Sequence, residues 1–203
     1  MIKNIVFDVG MVLIDFCYRD YMKNTLGFDQ ELIDYLADNM VESDDWNQFD
    51  EGMSLADFTE FNVKKLPGYE KEIRYFFKDM TNIVRSFDYT RDMILSLKER
   101  GFKIYILSNY PNEVWDLHSK TQFTFADIVD GMVVSGKINL LKPNKEIYLH
   151  LFDKYNLKPE ECVFLDDREK NIIAAREQGM HGIIFKGDEE GMKELEEIIK
   201  SYI

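Results

Sequence analysis

Several short apolar runs of this chain end on, or lead to, residues able to do chemistry. "VFD" reaches Asp8, "YILSN" reaches Ser108 and Asn109, "FLDD" reaches Asp166 and Asp167, and Lys142 lies downstream of "GMVVSG". A carboxylate at the end of a hydrophobic strand costs desolvation unless something pairs with it or binds it. Three carboxylates, an amine and a hydroxyl converging on a small volume would meet that cost. Two or three carboxylates at close range cannot all stay ionised without a cation, so either one is protonated or a hard divalent ion sits among them. Oxygen ligands with no His or Cys nearby favour magnesium, which keeps waters and binds a substrate phosphate as well. Beside such an ion a carboxylate can attack phosphorus and become an aspartyl phosphate. Lys142 would neutralise the phosphoryl oxygens, and the Ser108 hydroxyl with nearby backbone N–H groups would hydrogen-bond them.

Convergence requires a scaffold that brings strand ends together. "KIYILSN" (103–109), "GMVVSG" (131–136), "CVFLDD" (162–167) and "GIIFKG" (182–187) are short apolar runs bounded by Gly, Asn or Asp, the pattern of strands covered on both faces. Between them lie helical spacings: Tyr148, Leu151, Phe152 and Tyr155, then "REKNIIAAREQG" with its glycine stop at Gly179, then Met192, Leu195, Ile198 and Ile199. Strand and helix in alternation predict an α/β fold, a parallel sheet with helices on both faces. In such sheets the working residues lie past the C-terminal strand ends. The pattern changes between Phe16 and about Arg85, where Leu32, Ile33, Leu36 and Met40 form one helical stripe and Phe58, Phe61 and Leu66 another, ending at Pro67-Gly68. We read a core of residues 1–15 and 86–203 with an inserted α-helical subdomain, 16–85.

Taken together, "VFDVGMVLID", "YILSN", "LKPNKEIY" and "VFLDDREKNIIAA" resemble, in order, the four motifs of the haloacid dehalogenase (HAD) superfamily of hydrolases. The resemblance runs from the first strand to the last. It implies a Rossmann-like sheet, a helical cap inserted after the first motif, and a magnesium cofactor. Residue by residue it implies that Asp8 is the nucleophile and a metal ligand, that Ser108 and Asn109 contact phosphate, and that Lys142 stabilises both nucleophile and phosphate. Asp166 and Asp167 would hold the metal, with Asn171 bracing the pair. Most phosphatases of the superfamily carry a second Asp two positions after the nucleophile as general acid; here that position is Gly10. Its carbonyl can still reach the metal, but it has no proton to give. General acid help is worth about 10² to 10⁴ in rate, so Gly10 implies a slow enzyme, a substrate with a good leaving group, or another acid. Asp15 is the nearest substitute, more naturally a helix cap. A branch with Gly here includes sugar-phosphate phosphatases, which makes a sugar 1-phosphate the expected substrate.

Composition narrows the partners. The 203 residues carry 25 Lys and Arg against 38 Asp and Glu, a formal charge of -13 spread along the chain, which argues against nucleic acid and anionic membrane and leaves small anionic substrates open. Cys17 and Cys162 form no CxxC pattern, and no apolar stretch approaches the roughly 18 residues of a membrane span. A chain that enters a strand at once, without a signal segment, is expected in the reducing cytoplasm. His118, His150 and His181 are expected at or near the surface, Trp46 and Trp115 as packing anchors, and "EIRYFFKDM" as a helix face against the core. Oligomeric state is silent. Two readings compete with a phosphatase of small phosphorylated metabolites: a phosphometabolite-binding or regulatory protein that has lost turnover, and a response-regulator receiver. A receiver, however, has its acidic pair early and no 70-residue insertion. Dehalogenase and phosphomutase chemistry are less consistent with the acidic pair and with Gly10.

Overall fold

The computed structural model describes residues 1–185, 187 and 189–201. Strand β1 (Asn4–Phe7) is wholly buried and leads through a tight turn to the two-residue β2 (Ile14–Asp15). Five helices follow: α1 (Tyr18–Asn24), α2 (Gln30–Leu36) extended by a π-helical turn at Ala37–Val41, α3 (Trp46–Asp50), α4 (Leu55–Lys65) and α5 (Glu70–Lys78). The chain then returns in β3 (Arg85–Ser86), antiparallel to β2. From there strands and helices alternate: α6 (Thr90–Glu99), β4 (Lys103–Ser108), α7 (Asn112–Thr121), β5 (Gly131–Val134), the one-turn α8 (Ser135–Ile138), α9 (Lys145–Tyr155), β6 (Cys162–Asp166), α10 (Glu169–Glu177), β7 (His181–Ile184) and α11 (Glu189–Ser201). No helix among the described residues is long and apolar enough to cross a membrane.

Five strands form one sheet in the order β5-β4-β1-β6-β7, and every pairing is parallel. This is the α/β architecture expected from the alternating pattern. Successive side chains of a strand point to opposite faces, and both faces are apolar. Ile5, Phe7, Ile104, Ile106, Val163 and Leu165 pack with Ile94 and Leu97 of α6, Trp115 of α7 and Leu195 and Ile199 of α11. Val6, Tyr105, Leu107 and Phe164 face Ile147, Tyr148 and Leu151 of α9 and Ile172 and Ala175 of α10. Because the strands are parallel and in register, with Phe7 opposite both Ile106 and Leu165, their C-terminal ends share one edge. β1 is also where the chain, having built β4 and β5 on one side, crosses to build β6 and β7 on the other, so the crevice opens at its end.

The opening stretch differs from a long strand. Residues 3–16 break after Phe7 because the Val9 carbonyl accepts the N–H groups of Leu13 and Ile14, at 2.9 and 3.1 Å, and Met11 adopts a left-handed φ of 59°. The β2–β3 ribbon at the root of the helical insertion has no counterpart in the sequence pattern, since two-residue strands are too short to show a period of two. The insertion has its own aromatic centre, in which Phe49 and Phe58 stack at 4.7 Å and Trp46 and Phe77 meet Phe58 at 5.6 and 5.7 Å. Each such buried ring contributes about 1.5–3 kcal/mol relative to exposure.

His118 corrects the surface expectation. It is fully buried on α7, where Nε2 lies 2.7 Å from the Met80 carbonyl and Nδ1 2.6 Å from the Tyr110 hydroxyl. A carbonyl only accepts, so Nε2 carries the proton and Nδ1 accepts from Tyr110. Partners at 80 and 110 cannot be read from spacing, which is why the burial of this histidine is invisible in the sequence. The bond to Met80 ties the exit of the insertion to the core.

Burial depresses the His118 pKa below its ordinary 6.5, against smaller opposing effects of the Met80 bond and Asp79. Below pH 6.5 the unfolded chain therefore binds a proton at this histidine that the folded one refuses, and the contribution of His118 to stability falls as the pH drops through that range. Urea midpoints measured from pH 7.5 to 5 should shift toward lower stability in the wild type relative to His118→Gln, whose glutamine takes up no proton.

Candidate active site

The Lys142 ammonium is the hinge of the cluster at the strand edge. It lies 2.9 Å from Asp8 Oδ1 and 2.7 Å from Asp166 Oδ2, and its side chain is 1% exposed. Asp8 sits one residue past β1, its backbone N–H bonded to the Leu165 carbonyl at 2.8 Å and its Oδ1 accepting the Val9 N–H at 2.7 Å. Asp166, the last residue of β6, is fully buried; Oδ1 accepts from the Arg168 N–H at 2.8 Å, and Asn171 Nδ2 lies 3.0 Å from both oxygens. Asn171 thus braces Asp166 from the first turn of α10. Asp167 is half-buried, and ligand atoms of Asp8, Asp166 and Asp167 all lie within 4.8 Å of one another.

Charge in this group is strongly shifted. Burial pushes the Asp8 carboxyl up to about 7, with Lys142 pulling it down and Asp166 and Asp167 pushing it further up. Burial would lower Lys142, yet Asp166 and Asp8 outweigh it and hold the ammonium above its ordinary value. Asp167 is raised by burial and by Asp166. One ammonium among three carboxylates leaves the cluster electron-rich, with all-oxygen donors, and a divalent cation fits this donor set.

Asn109 does something other than simple phosphate contact. Its Oδ1 accepts the Lys142 N–H at 2.8 Å and its Nδ2 donates to the Lys142 carbonyl at 3.0 Å, so both ends of the amide fix the backbone of the lysine. Ser108 ends β4 and is 1% exposed; its Oγ has no hydrogen-bond partner among the described residues. A buried hydroxyl in that condition awaits one. At Gly10 a Cβ would meet nothing within 4 Å, and the backbone is not left-handed, so the missing carboxylate there is not forced by sterics. Asp15 stands apart: it pairs with Arg85 across the β2–β3 ribbon at 3.0 Å and does not line the cavity. The Cys17 thiol is held up by burial and by Asp15, against reactivity.

Above the cluster is a cavity of about 160 Å³. Its floor is Asp8, Gly10, Asn109, Lys142, Asp167 and Asn171, and its walls include Phe16, Val41, Trp46, Ile83, Val84 and Val114. Trp46 is therefore more than a packing anchor. Two charged residues that motif reading did not single out also line it, Arg168 and Asp50. Arg168 directly follows the acidic pair, which was the available signal. Asp50 ends α3 in the insertion, and no periodic feature distinguishes it from its acidic neighbours.

A family profile described as haloacid dehalogenase-like hydrolase matches residues 2–179. The chain belongs to the HAD-like hydrolases. It is 28% identical over 185 residues to the sesquiterpene phosphatase astK of Aspergillus oryzae, covering 89% of this chain and 88% of that one. It is 25% identical over 207 residues to the D-ribitol-5-phosphate phosphatase of Bacteroides thetaiotaomicron, covering 99% and 100%. Among solved structures, an aspartate-to-alanine variant of a HAD family enzyme from Bacteroides thetaiotaomicron, in complex with magnesium and inorganic phosphate, superposes with a TM-score of 0.73 at 23% identity over 93% and 96% of the two chains. That likeness extends to the fold.

In this HAD-like hydrolase the lysine is the single cation shared by two buried carboxylates. Breaking a buried pair by removing one partner costs about 3–5 kcal/mol, so Lys142→Met should lower the free energy of unfolding in urea by that amount. The loss should shrink as the pH falls, because a protonated Asp8 no longer needs the ammonium.

Proposed function

We propose that this chain is a magnesium-dependent phosphatase acting on a small phosphate monoester through an aspartyl-phosphate intermediate at Asp8. The observation that carries the reading is the Lys142 ammonium bridging Asp8 and Asp166, with Asp167 completing a three-carboxylate group of which Asp8 and Asp167 line the cavity. Asp8, the Gly10 carbonyl, Asp166 and Asp167 would hold the magnesium, which would supply charge neutralisation at phosphorus and favour the ionised form of Asp8. Asp8 then attacks phosphorus. Lys142 and the free Ser108 hydroxyl stabilise the phosphoryl oxygens, and Asn109 keeps the lysine in line by clamping its backbone. Water releases phosphate from Asp8 in the second half.

Residues 16–85 act in this reading as a cap over a core of 1–15 and 86–203, limiting the substrate to small molecules and excluding bulk water. The walls of Phe16, Trp46, Ile83 and Val114 favour an organic part with an apolar face. A sugar ring meets that requirement through its C–H face, in keeping with the sugar phosphate expected from Gly10. The phosphatase names of the two relatives support phosphate ester cleavage over other chemistry of the family.

A second reading, a phosphometabolite-binding or regulatory protein without turnover, is favoured by Gly10 alone. The two separate on a metabolite panel with magnesium: the wild type should release phosphate and Asp8→Asn should fall to background. Magnesium-dependent binding of beryllium fluoride with no hydrolysis by the wild type would instead establish the sensor. Metal binding has its own readout. Magnesium at a hundred times its Kd should stabilise the fold by about 2.7 kcal/mol, an effect that Asp167→Asn should weaken.

A further inference from the structure

We infer that Asp50, reaching the cavity from the insertion, is the general acid and base of this phosphatase, in place of the carboxylate missing at Gly10. The inference rests on the phosphatase reading above. Its first ground is position: Asp50 lines the same cavity as Asp8, Gly10 and Lys142, and enters it from the insertion rather than from the strand edge that carries the nucleophile.

Its second ground is the way the residue is held. The Asp50 carbonyl accepts from Ser135 Oγ at 2.5 Å, and the next carbonyl, of Glu51, accepts from Asn139 Nδ2 at 2.6 Å. Ser135 Oγ also accepts the Tyr110 N–H at 2.8 Å, and Tyr110 follows Asn109, whose amide fixes Lys142. The lysine and the aspartate are thus set by one continuous hydrogen-bonded frame. Gly52, with φ of +118°, lets the chain turn away at once; a Cβ there would stand 2.5 Å from Asn139 Nδ2. Trp46, one turn back on the same helix and lining the same cavity, favours the ionised form of the Asp50 carboxyl.

The surroundings give it the right proton affinity. Burial pushes the Asp50 carboxyl up to about 7, opposed by Arg168, Trp46 and Lys142 and reinforced by Asp8. A group that titrates near neutrality can give a proton in one half-reaction and take one in the next. In the first half Asp8 forms its bond to phosphorus, the bond from phosphorus to the ester oxygen breaks, and its electron pair takes the proton of Asp50. In the second half the Asp50 carboxylate takes a proton from the attacking water, and the bond from phosphorus to Asp8 breaks with its pair returning to Asp8. The sum is phosphate ester plus water giving alcohol plus phosphate.

Leaving-group dependence tests the assignment. Benzyl phosphate and p-nitrophenyl phosphate both offer an apolar ring to the cavity, but only the first needs its leaving oxygen protonated. For the wild type with magnesium, both should be turned over. Asp50→Asn should cut kcat/KM, which reports the first half-reaction, by about a hundredfold or more for benzyl phosphate and by less than tenfold for p-nitrophenyl phosphate, while kcat falls for both with the loss of the base. Adding Gly10→Asp to that variant should recover part of the benzyl activity. Equal losses of kcat/KM on both esters, no loss on either, or a wild type that cleaves p-nitrophenyl phosphate and leaves benzyl phosphate intact would overturn the inference. Should Asp50→Asn not fold, the wild-type comparison of the two esters decides. Absence of all phosphate release from the wild type would count against the phosphatase reading itself.

Discussion

The buried ammonium of Lys142 between Asp8 and Asp166 is the interaction on which the rest of this structure depends. Taking an ammonium and two carboxylates out of water costs several kcal/mol per ion, and their attraction offsets this only where further hydrogen bonds satisfy the remaining atoms. The sequence around each ion is arranged to that end. Asp166 receives the Arg168 N–H and the Asn171 amide, and Asp8 receives the Val9 N–H. Asn109 sets the lysine backbone. Removing the lysine would strand two charges; removing the sheet would strand all of them, since only parallel register brings the ends of β1 and β6 side by side.

The same edge explains where the insertion sits. Its exit at Met80 is bonded to His118 of α7, and its α3 end is bonded to Ser135 of α8 and to Asn139 just beyond that helix. The aromatic centre around Phe49, Phe58 and Phe77 gives the insertion internal packing. It is continuous with the apolar face of the sheet that carries Phe7 and Leu165. Cavity-lining residues such as Trp46 and Asp50 therefore owe their positions to both halves.

The sheet and the acidic edge were legible because both rest on short-range patterns. Apolar runs such as "CVFLDD" announce a strand and the residues at its end in the same seven letters or fewer, and Asn171 lies one helical turn beyond. What the sequence hid is set by contacts far apart in the chain. Asn109 clamps a residue 33 positions away, His118 is buried by a carbonyl 38 positions away, and the carbonyl of Asp50 is held from 85 positions away. No local signal separates Asp50 from Asp44 or Asp45, or tells that Asp15 would be spent on Arg85. Long-range pairing, not weak propensity, is what single-sequence reading lacks here.

Relocating a proton donor away from position 10 has an electrostatic logic of its own. A carboxylate at position 10 would join a cluster that already sets three acids against one ammonium, and each added like charge raises the proton affinity of the others. Asp8 would then be harder to ionise, which is the opposite of what a nucleophile needs. A donor on the insertion faces Arg168 as well as Lys142, and these cations oppose the rise that burial and Asp8 impose on it. It also reaches the reacting oxygen only while α3 is seated against α8. Catalytic competence is then coupled to the docking of the insertion on the core, so that a site opened to solvent loses its acid together with its walls.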